Sequence, residues 1–124
     1  MSKVLLIDDN KTVTGLYGSA LRNAGYQIDV AHDGEAGLAA VVRFRPDVVL
    51  LDLAMPKATG LKVLEGIRAD AESAHVPVIV LSNTFTNEKA EEVWAAGATQ
   101  ILSKAASTPK QVIEAIRASL KVEK

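Results

Sequence analysis

The chain has no cysteine, so disulfides and thiolate metal sites are excluded. That absence is in keeping with a reducing compartment, and the cytoplasm is the expected one. No charge of one sign dominates. Fourteen Lys and Arg stand against fifteen Asp and Glu, for a net charge of −1, and no basic tail is present. Non-specific binding to nucleic acid therefore has no electrostatic support. No apolar run approaches the length of a membrane span. Met1-Ser2-Lys3 leads into an apolar stretch that turns acidic too soon for a signal peptide. Pro/Gly/Ser-rich linkers and low-complexity segments are also missing, so one domain over residues 1–124 is expected. Aromatic residues are few, and Trp94 is the single tryptophan.

What is present is enough for a real core. At 124 residues with 48% hydrophobic and 23% charged content, the chain has the make-up of an ordinary globular domain. Strand and helix patterns alternate five times. Lys3 to Ile7 reads as a strand; Val13, Leu16, Tyr17, Ala20 and Leu21 then recur at helical spacing, stopped by Gly25. Gln27 to Ala31 is a second strand, and Asp33 can cap a helix running to about Phe44, before Arg45-Pro46. Asp47 to Leu51 is a third strand. After a turn at Met55-Pro56, a helix from Gly60 to Ala69 carries Leu61, Leu64 and Ile67 on one face. Pro77 opens a fourth strand that ends at Ser82, Asn87 to Ala96 is a helix closed by Gly97, and Gln100 to Ser103 is a short fifth strand. Thr108-Pro109-Lys110-Gln111 has the cap, first-turn proline and N3 glutamine of a helix start, with Val112, Ile116 and Leu120 as its buried stripe. Five such units imply an α/β fold, a doubly wound parallel sheet with helices on both faces.

The chemistry lies where the strands stop. Val4-Leu5-Leu6-Ile7 ends in Asp8-Asp9, and Val48-Val49-Leu50-Leu51 ends in Asp52. Val78-Ile79-Val80-Leu81 ends in Ser82, and Gln100-Ile101-Leu102-Ser103 ends in Lys104. Open α/β sheets bind ligands beyond the carboxyl ends of their strands. Clustered carboxylates there either raise a pKa or hold a hard cation such as Mg²⁺. Taken singly, each residue has a plainer role. Asp8 and Asp9 could cap the first helix, Asp52 could be a turn residue, Ser82 could bond to backbone, and Lys104 could be solvated. Convergence of all five on one sheet edge favours a site. His32 and His75 fall in loops and are expected at the surface.

Asp8-Asp9, Asp52-Leu53-Ala54-Met55-Pro56 with Gly60, Ser82, Gly97-Ala98 and Lys104, in that order over nearly the whole chain, resemble the receiver domain of two-component response regulators. The resemblance implies a flavodoxin-like sheet of order 2-1-3-4-5. It also implies a stand-alone signalling module rather than an enzyme. In that module Asp52 would accept a phosphoryl group from a histidine kinase or phosphotransfer protein. Mg²⁺ would be held by Asp9 and Asp52 directly, by Asp8 through water, and by the backbone carbonyl of Ala54. Lys104 would pair with the phosphoryl group and Ser82 would donate a hydrogen bond to it. Output would pass to a downstream protein or a second copy through the face of the fourth helix, fifth strand and fifth helix. Trp94 and Ile101 would form an apolar patch on that face, unless Trp94 folds over its own helix.

Three positions depart from the family pattern. Ile101 stands where an aromatic ring is usual, Ala105 where proline usually follows the lysine, and Asn83 where Gly or Ala follows the hydroxyl. A trans Lys104–Ala105 bond is expected, because cis costs about 2.5–4 kcal/mol without proline. These departures admit a receiver-like scaffold that no longer switches. A Mg²⁺ phosphatase of the haloacid-dehalogenase type is disfavoured, since it needs an acid two residues after the nucleophile and Ala54 stands there. Nucleotide-binding glycine motifs are absent.

Overall fold

The computed structural model describes residues 2–53, 60–82, 87–104 and 106–122. Ten elements alternate along the chain: β1 (Lys3–Ile7), α1 (Lys11–Asn23), β2 (Gln27–Ala31), α2 (Gly34–Phe44), β3 (Val48–Asp52), α3 (Gly60–Ala69), β4 (Val78–Ser82), α4 (Asn87–Ala95), β5 (Gln100–Ser103) and α5 (Pro109–Val122). The strands form one parallel sheet of order β2-β1-β3-β4-β5, as expected. From β1 the strand order steps to one side for β2 and to the other for β3, and such folds open a crevice at that switch between β1 and β3.

The apolar strands serve two cores at once. Side chains alternate across a pleated strand. Leu5, Ile7, Val49, Leu51, Val78 and Val80 pack on one face, against Val41 of α2, Val63, Leu64 and Ile67 of α3 and Val93 of α4. Val4, Leu6, Val48, Leu50, Ile79 and Leu81 pack on the other, against Tyr17 and Leu21 of α1 and Val112 and Ile116 of α5. Burial on both faces explains why these strands read as continuous apolar runs without polar alternation.

Helix ends follow local chemistry. Asp33 caps α2 by accepting from Ala36 N, and Thr108 and Gln111 exchange both hydrogen bonds of a capping box at α5. Gly25, at φ +99°, ends α1 in a backbone region that glycine enters without cost. The boundaries move slightly from those expected. β3 starts at Val48 and runs through Asp52, which pairs in register with Leu81, so the acid is itself the last strand residue. β4 begins at Val78, one residue after Pro77, whose nitrogen has no hydrogen to donate. α4 ends at Ala95.

Candidate functional site

The parallel register delivers the site. Asp8 follows β1 and continues the ladder, its N–H donating to Ala31 O at 3.1 Å. Asp52 ends the neighbouring β3. Ser82 ends β4 opposite Ser103, and Lys104 N donates to Ser82 O at 3.0 Å. The residues singled out in the sequence thus share one sheet edge. Ala54, Asn83, Ala105 and the Met55-Pro56 turn lie outside the described residues.

Asp8, Asp9 and Asp52 each offer an oxygen such that all three lie within 4.8 Å of one another. Asp8 is 4% exposed and Asp52 3%, while Asp9 is open to solvent. Lys104 Nζ sits 2.9 Å from Asp8 Oδ2 and 3.4 Å from Asp52 Oδ2, with its side chain 17% exposed. Burial alone would lower the lysine pKa. The contact with Asp8 and the charge of Asp52 outweigh it, and the net shift is upward. Ser82 is buried beside this group of charges.

The helix-cap alternative for the two acids fails on geometry. Asn10 caps α1, its Oδ1 accepting from Thr12 N and Val13 N. Asp8 instead accepts from Asn10 N through Oδ1 at 2.9 Å, which turns Oδ2 over to the site. In the sequence Asn10 does not stand out as the cap, because the acids beside it are equally good caps.

A divalent cation fits this donor set. Asp8 Oδ2 is fully enclosed and meets Lys104 as an ion pair without an aligned hydrogen bond. Among the described residues, three carboxylates against one ammonium leave a formal excess of two negative charges (three minus one) among hard oxygen donors.

His32 departs from expectation. It is half-buried, and its Nδ1 lies 3.1 Å from the backbone carbonyl of Asp8. Residue 32 stands beside residue 8 because Ile7 and Ala31 are register partners at the strand ends. Only the strand order brings them together. His75 is exposed, as expected. On α4, Val93 is buried and Ala96 packs against the core, while Trp94 is 51% exposed. Ile101 is half-buried against the same core.

A doubly wound parallel sheet with an acid cluster and a lysine at its carboxyl edge defines a flavodoxin-like domain with its site at the switch point. The family model of the response regulator receiver domain matches residues 4–117. The chain belongs to that family. Over 104 residues it is 34% identical to the DNA-binding dual master transcriptional regulator RpaA of Synechocystis, covering 84% of this chain and 43% of RpaA. Protein PilH of Pseudomonas aeruginosa is 32% identical over 94 residues, covering 76% of each. Among solved structures, the chemotaxis protein CheY4 of Vibrio cholerae superposes with a TM-score of 0.91 at 31% identity, covering 97% of this chain and 99% of that one. The chain therefore spans less than half of RpaA but most of PilH and nearly all of CheY4. Among the described residues, no helix is long and apolar enough to cross a membrane.

Proposed function

We propose that this receiver domain is phosphorylated on Asp52 in a Mg²⁺-dependent reaction and signals by protein contact. The observation that carries this is the pairing of buried Asp52 with Lys104 at 3.4 Å, beside Asp8 and Asp9, at the end of a central strand. A carboxylate oxygen of Asp52 forms a bond to phosphorus as the P–N bond of a phosphohistidine donor breaks, and the departing imidazole nitrogen takes up a proton. The donor is a histidine kinase or a phosphotransfer protein, and a small acyl phosphate can replace it. Asp9 and Asp52 would hold Mg²⁺ directly, with Asp8 acting through water and the carbonyl of Ala54 completing the protein ligands. The cation supplies charge neutralisation between the carboxylates and the incoming phosphoryl group.

The chain's own groups do the rest. Lys104, held between Asp8 and Asp52 before reaction, offers its ammonium to the phosphoryl oxygens once Asp52 carries the acyl phosphate. Ser82 donates a hydrogen bond to the same group. The role is that of a switch rather than an enzyme with turnover on a separate substrate. The proposed compartment is the cytoplasm, where the ATP that charges a histidine kinase is held. Output passes to a downstream protein or a second copy through the α4–β5–α5 face, with exposed Trp94 on α4 and half-buried Ile101 on β5 as its apolar residues. No nucleic-acid contact is proposed for this domain, a view supported by its net charge of −1.

The test is incubation with acetyl phosphate and Mg²⁺. The wild-type chain is expected to gain an acid-stable, base-labile phosphate, which does not form when Mg²⁺ is chelated beforehand or in Asp52→Asn. Full labelling of Asp52→Asn would rule out the assignment.

A further inference from the structure

We infer that His32 is a positioning residue for the acid site, holding the Asp8–Asp9 peptide in the orientation that a divalent cation needs. This rests on the cation-site reading proposed above. His32 Nδ1 lies 3.1 Å from the carbonyl oxygen of Asp8. A carbonyl only accepts, so Nδ1 carries the hydrogen and the ring is held in one tautomer. The preceding residue, Ala31, accepts from Asp8 N at 3.1 Å. Both backbone polar groups of Asp8 are therefore fixed by two consecutive residues at the end of β2. The Asp8 side chain is fixed as well, with Oδ1 bonded to Asn10 N and Oδ2 paired with Lys104.

The carbonyl held by His32 belongs to the peptide that joins Asp8 to Asp9. Its plane sets the direction in which the Asp9 side chain leaves the chain. Among the described residues, no hydrogen bond or ion pair holds the exposed Asp9 carboxylate itself. Orientation of that carboxylate toward Asp52 thus depends on the backbone, and His32 is the side chain that pins the backbone. A residue outside the ligand set that orients a ligand is a common determinant of metal affinity.

Calorimetric titration with Mn²⁺ alone tests this on the full chain, for wild type, His32→Ala and His32→Asn. The asparagine amide nitrogen occupies roughly the place of Nδ1 and can donate the same hydrogen bond. His32→Ala is expected to weaken Mn²⁺ binding about tenfold and His32→Asn to stay within about twofold of wild type, in line with the loss seen when an orienting partner is removed. Imidazole ¹⁵N shifts are expected to report the Nδ1–H tautomer for His32. Wild-type affinity in His32→Ala overturns the inference, as does an asparagine variant as weak as alanine, or the Nε2–H tautomer. Absence of Mn²⁺ binding in the wild type would instead sink the cation site itself, and the role of His32 with it.

Discussion

At the residue scale, Lys104 governs the resting site. Among the described residues, it is the cation beside two buried carboxylates, 2.9 Å from one and 3.4 Å from the other. Removing one partner of a buried ion pair leaves the other charge stranded. Lys104→Met should destabilise the cation-free protein by roughly 2–3 kcal/mol, less than for a fully buried pair because solvent reaches part of the lysine. Urea unfolding with and without Mg²⁺ checks this, and the loss should shrink when Mg²⁺ is present. An unchanged midpoint would mean that the pair contributes nothing. The raised lysine pKa also gives a pH dependence. A folded pKa above the unfolded value near 10.4 means that its contribution is complete below that pH and is lost as pH climbs through the folded value. Tyr17 acts in the same direction, since burial, eased by Lys104 and reinforced by Asp8, holds its phenol above the usual range. Alkaline unfolding should therefore be less steep in Lys104→Met than in wild type, and less steep again with Tyr17→Phe. The acids should also differ. Asp9→Ala should weaken Mn²⁺ binding more than Asp8→Ala, because of these two Asp9 is the proposed direct ligand and Asp8 acts through water. Equal losses in the same titration would contradict that division.

At the scale of elements, two contacts hold the frame around the site. Gly60 opens α3 against the chain that has just left β3. A side-chain carbon there would lie 2.5 Å from Leu53 Cα and 2.7 Å from the carbonyl oxygens of Asp52 and Leu53. Backbone, not a flexible side chain, would have to move. Gly60→Ala should cost about 1–3 kcal/mol by overpacking, and should slow acetyl phosphate labelling because Asp52 shares the displaced segment. Labelling at the wild-type rate would show that the segment has slack. The other contact is Arg68. Its Nε and Nη2 donate to Gly97 O at 2.9 and 2.7 Å, and its Nη1 to Val76 O at 2.6 Å, with Ala74 and Ser73 carbonyls nearby. Burial draws its pKa down, and backbone carbonyls compensate with directed hydrogen bonds. The planar fork joins the end of α3 to the end of α4, which a lysine point charge cannot do. Arg68→Lys should cost about 2 kcal/mol in thermal unfolding despite the retained charge. The sequence disclosed the capping box at Thr108 and the cap at Asp33, because those are local patterns four residues long. It did not disclose Arg68, whose partners are carbonyls without side-chain identity up to 29 residues away.

For the whole molecule, strand order turns local patterns into a site. Each apolar run ending in a polar residue was legible in the chain, since strands buried on both faces must be apolar throughout and may turn polar only at their ends. The family resemblance then supplied the order that places Asp8, Asp52 and Lys104 together. The contact of His32 with Asp8 was not legible, because it joins a ring to a main-chain carbonyl across two strand ends. The outer surface follows the same division. On α4, Val93 is buried in the core and Trp94 stands half open to solvent. Trp94 emission should accordingly be that of a solvent-exposed ring, and Trp94→Ala should weaken self-association or partner binding measured by sedimentation. A blue-shifted emission together with unchanged association would remove the α4 patch from the account. The central claim concerns one oxygen on β3. Reduction of the acetyl phosphate-treated protein with borohydride, followed by peptide mass spectrometry, converts an aspartyl phosphate to homoserine and locates it. Homoserine is expected at position 52 alone, formed only with Mg²⁺; conversion at Asp8 or Asp9 instead, or none at all in a folded, Mg²⁺-loaded chain, would contradict Asp52 as the phosphoryl acceptor.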